Sequence, residues 1–223
     1  MTISGLMVSY AQHQEDVVLA RVLRDVKSGF YVDVGANDPV IDSMTKHFSD
    51  KGWRGINIDP GLIFSKIVEA RPADRNFNVA ASDRCGEAVF HEFPHASGLS
   101  SLHERSPDVD ASFLAEKLTR TVPVRTLRDI FAEVDPPTID FINIDVESHE
   151  RQVLLGNDWS RWRPRVVAIE ATLLGRFEPG HHLWERTSSM ACSVSGMARA
   201  RAWTAARMCS STPTWRAPRN TAA

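Results

Sequence analysis

Acidic and small polar residues recur in this sequence directly after short apolar runs, where a buried sheet would present them to a ligand. The first such stretch is Val32-Asp33-Val34-Gly35-Ala36-Asn37. A carboxylate at a strand end, a glycine that lets backbone approach closely, and a polar residue beyond it suit a ligand carrying an amino acid and a ribose. The second is Asn57-Ile58-Asp59-Pro60. An acid ending the next strand can accept hydrogen bonds from both ribose hydroxyls, and the same residues also suit an Asx-type turn. The third is Ala80-Ala81-Ser82-Asp83. Its small residues would let a purine lie close, with Asp83 in reach of the exocyclic amine, although Asp83 to Gly86 also reads as a hairpin turn. The fourth is Asp145-Val146-Glu147-Ser148-His149-Glu150. His149 is the candidate general base, because an imidazole accepts a proton near neutral pH, and Asp145 and Glu147 are the alternatives. Asp145, Glu147 and Glu150 could also hold a hard divalent cation such as Mg2+. Glu147 and Glu150 would equally favour a helix N-terminus with no metal present, so no metal site is predicted.

These stretches need a scaffold that gathers strand ends. The apolar spacing predicts helices over 15–26, 43–50, 62–70, 127–133 and 151–155. Short apolar runs predict strands over 30–34, 55–58, 77–81, 88–92, 124–127, 139–144 and 165–171. Strands alternating with helices imply an α/β fold with a mostly parallel sheet and helices on both faces. Ligands in such sheets bind beyond the carboxyl ends of the strands, where all four polar stretches fall. The long polar segment 93–121, rich in Ser, Asp and Pro, is expected to be a substrate loop or lid.

Composition narrows the function classes. A 223-residue chain with 43% hydrophobic and 24% charged residues suits one globular domain. No apolar run approaches the roughly 20 residues of a bilayer span, and the first residues lack a secretory pattern; no membrane is expected, and the cytoplasm is the default compartment. Three cysteines without C-x-x-C spacing suggest neither a disulfide framework nor zinc. Six of the 26 basic residues are arginines after Glu185, where no Asp, Glu or Lys occurs, so the body before it is distinctly acidic. An acidic body is a poor match for a phosphate backbone, and nucleic acid is not expected as a partner. A dinucleotide-binding turn would add glycines after Gly35, where the chain has Ala36-Asn37-Asp38-Pro39.

Taken in order, Val32–Asn37, Ile58-Asp59-Pro60, Asn78–Asp83, Ser97–Leu102 and Phe141–Glu150 resemble the FkbM-type methyltransferases, and Tyr10-Ala11-Gln12-His13-Gln14-Glu15-Asp16 is similar to that family's opening. The resemblance spans about residues 9–185. It implies a Rossmann-like class I methyltransferase fold, S-adenosylmethionine as cofactor, and O-methylation of a sugar, polyketide or related small molecule. By it, Asp33, Gly35 and Asn37 match the loop at the methionine end of the cofactor. Asp59 matches the ribose-binding acid, Ser82 and Asp83 the adenine side, and Asp145 the acid after the fourth strand. Ser97–Leu102 matches a serine-rich loop that contacts cofactor or acceptor. The family commonly has Asp-Val-Glu-Gly at Asp145–Ser148; here Ser148 stands where glycine is usual, which tightens the allowed backbone geometry.

The tail breaks the pattern. Residues 186–223 contain no Leu, Ile, Phe or Tyr, and no alternation to supply the last two strands of the expected fold. Domain boundaries are therefore set at 1–185 for the methyltransferase domain and 186–223 for an atypical tail, read as out-of-frame translation or basic disorder, with the C-terminal strands expected to be missing. The histidines His181-His182 would point to opposite sides of an extended segment, so no shared metal is expected there. Three function readings remain: an active O-methyltransferase, a methyltransferase-like protein that binds ligand without turnover, and, weakened by the missing glycines, an NAD-dependent oxidoreductase.

Overall fold

The computed structural model describes residues 7–104 and 117–170, and beyond them the backbone of four short strands. Helix α1 (Glu15–Val22) leads into β1 (Phe30–Val34), α2 (Lys46–Asp50), β2 (Arg54–Ile58), α3 (Phe64–Ala70) and β3 (Arg75–Phe77). There follow β4 (Ala80–Ala81), β5 (Gly86–Glu92), β6 (Leu118–Arg125), α4 (Leu127–Val134), β7 (Phe141–Ile144), α5 (Glu150–Leu155) and β8 (Val166–Glu170). The backbone strands are β9 (Thr172–Leu173), β10 (Arg176–Pro179), β11 (Cys192–Ser193) and β12 (Trp203–Arg207).

The main sheet runs β3-β2-β1-β7-β8 with all pairs parallel. The strand order reverses between β1 and β7, which opens a crevice beyond their carboxyl ends. Both faces of the sheet are covered, so β1, β2 and β7 are buried on both sides and read as near-continuous apolar runs, interrupted by Asp33, Asn57 and Asn143. On one face Val32, Ile56, Ile142 and Ile144 pack with Leu127, Ile130 and Phe131 of α4. On the other, Tyr31 and Phe141 pack with Leu19 of α1, Phe48 of α2 and Trp53. The alternation of Tyr31 with Val32, and of Phe141 with Ile142, is the period-2 pleat.

Several elements differ from the sequence reading. Helix α1 ends at Val22, and Leu23 to Val26 form a turn closed by Val26 N–H to the Leu23 carbonyl. The strand expected over 77–81 is two strands in two sheets: β3 pairs with β2, whereas β4 pairs with β6. Between them the Asn78 side chain donates to the Asp59 carbonyl at 2.8 Å, taking over the sheet pairing as the chain leaves. A second sheet, β4-β6-β5, follows. Because β6 lies between β4 and β5, residues Asp83–Gly86 are not a hairpin. Strand β6 begins at Leu118, so the expected loop ends before it; residues 105–116 lie outside the described residues. No helix among the described residues is long and apolar enough to cross a membrane.

The tail also departs from expectation. The backbone of β12 pairs antiparallel with β8, and β11 pairs with β12, completing the order β11-β12-β8-β7-β1-β2-β3. The C-terminal strands expected to be missing are therefore present as backbone. Pairing uses the N–H and C=O groups every residue carries, and the open edge of β8 is a template for it; an alternating apolar pattern is not required. His181 and His182 lie outside the described residues.

Candidate functional site

A cavity of about 500 Å3 opens beyond the carboxyl ends of β1, β2 and β7, within the size range of small-molecule and cofactor sites. The expected residues Asp33, Gly35, Asn37, Asp59, Asp145, Glu147 and His149 all line it, as do Ser97–Leu102.

Asp33 is buried, and its neighbours across the sheet are Asn57 and Asn143. Its Oδ1 accepts from Asn143 Nδ2 at 2.9 Å and its Oδ2 from Thr45 Oγ1 at 2.7 Å. Burial raises its pKa above the ordinary carboxylate value, partly countered by these bonds. Thr45 in turn accepts from Arg71 Nη1 at 3.0 Å, and Arg71 Nη2 donates to the Pro39 carbonyl at 2.9 Å. A buried arginine thereby ties the 39–45 loop to Asp33, a role the sequence did not signal, since Arg71 precedes a proline and reads only as a helix stop. Asn143 did leave a signal: it is a polar residue inside the apolar run Phe141-Ile142-Asn143-Ile144.

Gly35 adopts φ +81°, and a Cβ placed on it would overlap the Asp145 carbonyl oxygen. Its N–H donates to the Ile58 carbonyl at 2.9 Å, while Asp145 N–H donates to the Val34 carbonyl at 2.9 Å. Glycine is thus required both by conformation and by the approach of the β7 end. Asn37, at φ +46°, donates its N–H to Asp59 Oδ2 at 2.8 Å, and Gly61 donates to Oδ1 at 2.7 Å. The turn and the functional reading of Asp59 therefore coexist. A carboxylate offers about four acceptor sites, so both oxygens keep capacity for a ligand. Burial pushes the Asp59 pKa up from 3.8 to about 6.

The wall expected to receive a purine is built from Ala80, Ala81 and Phe90. Ser82 and Asp83 are not among the lining residues. Ser82 is buried against His149 Nε2 at 2.9 Å and donates to Asp83 Oδ1 at 3.1 Å. Glu92, missed in the sequence because it closes an ordinary strand, is a buried carboxylate of this same wall. Its Oε1 accepts from Leu62 N–H at 2.5 Å and its Oε2 from Arg120 Nε at 2.8 Å. Arg120 also donates to the Pro60 carbonyl at 2.9 Å, which fixes the small sheet against the Asp59 turn.

The loop after β7 is held under constraint. Glu147 and Ser148 take φ +51° and +79°, the left-handed region that favours glycine. Glu150 Oε1 steadies them by accepting from Val146 N–H at 3.3 Å and Ser148 N–H at 3.1 Å; Ser101 Oγ donates to the Glu147 carbonyl at 2.6 Å. Replacing Ser148 with glycine is expected to stabilise the protein by about 1 kcal/mol, read as a rise in the denaturation midpoint. An unchanged or lowered midpoint would show that the serine hydroxyl compensates for the backbone cost.

The acidic residues regroup relative to expectation. Carboxylate oxygens of Asp145, Glu150 and Glu170 lie within 4.8 Å of one another, without Glu147. Burial, then the charge of Glu170, holds the Asp145 carboxyl well above the usual range, and the two side chains share a hydrogen bond. Burial lifts Glu150 from 4.5 to about 7. A shared proton neutralises such a pair without a cation. His149 has partners at both ring nitrogens: Nδ1 lies 3.2 Å from His103 Nε2. Burial and the neighbouring His103 lower its pKa from 6.5 to about 4, so it is neutral at physiological pH and a weak base.

Among curated proteins none matches this chain. The C-terminal domain of the precorrin-6Y C5,15-methyltransferase from Rhodobacter capsulatus is similar in structure at 13% identity, with a TM-score of 0.40 over 92% of this chain and 88% of that one. Residues 33–190 match the methyltransferase FkbM domain; carrying that domain over most of its length, and with the carboxylates of its strand ends gathered in one cavity, the chain belongs to the FkbM methyltransferase family.

Proposed function

We propose that this methyltransferase uses S-adenosylmethionine to methylate a hydroxyl of a sugar or other small-molecule metabolite. The observation that carries the reading is the Asp33–Asn37 turn locked to Asp59, whose carboxylate is oriented by two backbone N–H groups yet keeps acceptor capacity at the cavity. The residues fit the cofactor in a second respect. Asn143 Oδ1 and Asp145 Oδ1 are buried in the lining without a hydrogen-bond partner, and a ligand bearing N–H and O–H donors would satisfy them.

In this reading Asp59 accepts the ribose hydroxyls, and Ala80, Ala81 and Phe90 flank the adenine. Gly35 and Asn37 shape the methionine end, while Asp33 acts through Asn143 and Thr45 by holding the strand ends in place. Ser82 and Asp83 contribute by orienting His149. The cofactor supplies a methyl group on a sulfonium that leaves as a neutral thioether, so no covalent enzyme intermediate is needed. The chain must align the acceptor oxygen and remove its proton. Alignment supplies much of the rate, and a positioned base adds about 10²–10⁴-fold. His149, Asp145 and Glu147 are the groups on the cavity wall for that proton. The catalytic domain of this reading is 1–185, with 186–223 set apart by composition; resequencing the coding region tests whether a change of frame restores apolar residues after Glu185.

A reading as a ligand-binding protein without turnover draws on one observation, the partnered and weakly basic state of His149. Calorimetric titration with S-adenosylmethionine, S-adenosylhomocysteine and NAD, followed by methyl transfer from labelled cofactor to a panel of hydroxylated acceptors, separates the readings. Binding of the first two with transfer to a hydroxyl is expected. Binding without transfer to any acceptor favours the non-catalytic reading, and binding of NAD alone overturns both.

A further inference from the structure

The segment before α1 is a built part of the cavity rather than a loose end. Asp16, fully buried, accepts from Ser9 Oγ at 2.6 Å and from Tyr10 N–H at 2.8 Å, folding residues 9–16 into a compact turn. That turn sets Ala11, Gln12 and Glu15 on the cavity wall. Glu15 Oε2 accepts from His13 N–H at 3.0 Å. Glu15 Oε1 is buried and has no hydrogen-bond partner.

Other carboxylates of the wall are already engaged at both oxygens: Asp33 by Asn143 and Thr45, Asp59 by Asn37 and Gly61, Glu92 by Leu62 and Arg120. The buried lining atoms that lack partners are Glu15 Oε1, Asn143 Oδ1 and Asp145 Oδ1, and all are acceptors. Lys66 is the only lysine or arginine lining the cavity among the described residues, and its Nζ lies 3.5 Å from Asp38 Oδ2. An acidic cavity with orphaned acceptors calls for a cationic donor. An ammonium meets this demand with three N–H groups, and charge-assisted bonds to it are the strong kind.

Position selects which ammonium. Helix α1 packs through Leu19, and the turn after it through Leu23, among Tyr31, Phe141, Val166 and Ala168, on the β1, β7 and β8 half of the sheet. The apolar wall of Ala80 and Ala81 follows β3 at the opposite edge, and Asp59 ends β2 between them. A nucleoside laid on the β2–β3 side directs an attached amino acid toward Glu15. We propose that Glu15 is the ammonium subsite of the methyl donor, binding the α-amino group at its amino-acid end; this rests on the S-adenosylmethionine reading above.

The test is calorimetric titration of wild type and Glu15→Gln with two ligands. S-adenosylhomocysteine carries the amino-acid end, and 5′-methylthioadenosine shares the adenosine thioether but lacks it. Wild type should bind both. In Glu15→Gln, affinity for S-adenosylhomocysteine should fall about 10–100-fold, the value of a charge-assisted bond, with 5′-methylthioadenosine unchanged. The unchanged ligand also certifies that the variant is folded. An undiminished affinity for S-adenosylhomocysteine, or an equal loss for both ligands, overturns the assignment. Wild type that binds neither overturns the cofactor reading and the subsite with it.

Discussion

Replacing Gly35 with alanine is expected to destabilise the protein by about 2–5 kcal/mol and to abolish cofactor binding. Two costs add. The backbone at φ +81° is strained for any residue with a Cβ, and that Cβ would overlap the Asp145 carbonyl oxygen. The obstacle is main chain, so no rotamer change removes it. Relief requires β1 and β7 to part at their carboxyl ends, where Asp145 N–H is bonded to the Val34 carbonyl at 2.9 Å. Parting them moves Asn37 away from Asp59 and disperses the cavity wall. Gly52 supplies the control: its φ is +83°, but nothing lies within 4 Å of an added Cβ. Gly52→Ala should therefore cost only the backbone share, about 1–2 kcal/mol, and leave binding intact. Guanidinium unfolding of both variants measures the difference, and equal losses would show that the Gly35 approach to Asp145 is readily relaxed.

Asp59→Ala is expected to weaken S-adenosylmethionine binding by about 100-fold or more, since two hydrogen bonds to a charged acceptor are lost at about 1.5–3 kcal/mol each. The pH dependence of the wild type checks the same residue with opposite signs in two measurements. Asp59 titrates near 6 when folded, against 3.8 ordinarily. The folded chain therefore keeps a proton that the unfolded chain has released, so stability of the ligand-free protein falls as pH rises through that window, by on the order of 3 kcal/mol in full. Glu150, raised from 4.5 to about 7, extends the fall. His149 acts against it: with its folded pKa near 4 and its ordinary value 6.5, stability from this group is lost as pH falls below 6.5. Cofactor affinity moves the other way from apo stability, rising with pH through about 6 as the Asp59 carboxylate ionises. Denaturation and titration at about pH 5 and about pH 7.5 read both. In Asp59→Ala the stability slope should flatten between pH 3.8 and about 6; an unchanged slope would assign the titration elsewhere.

The parts legible in the sequence are those where burial on both faces leaves a mostly apolar run. β1 was readable to the residue for that reason, and Asp33 near the end of β1 and the acids Asp59 and Asp145 directly after β2 and β7 stand out because polarity returns abruptly there. Strand β6 was hidden by its one-sided burial. Leu118, Thr119, Thr121 and Pro123 are exposed, and only Val122 and Val124 are buried among its last residues, so its start reads as polar loop. Ser82 and Asp83 show a phase limit. A strand end fixes which residues are near a ligand, but a shift of one position reverses the side that each faces. Arg71 was illegible as an anchor of the site because its partners lie 26 or more positions away, and the buried, unpartnered oxygen of Glu15 appears only once the chain is folded.

The second sheet gives this enzyme a detachable panel. Glu92 and Leu118 stand opposite each other where β5 and β6 pair, so the chain between them departs from and returns to adjacent points. The panel is latched to the main sheet by the Glu92 and Arg120 contacts with the Pro60–Leu62 turn and by Ser101 against Glu147. Loop closure cost grows only slowly with length when the ends are fixed side by side. Because Ser101 bridges to His91 beside the Glu92–Leu118 pair, segments of differing length and chemistry can be grafted after the Ser101 latch and before Leu118 without disturbing the strands that carry Asp33 and Asp59, which under the proposed function suits this stretch to retargeting acceptor choice.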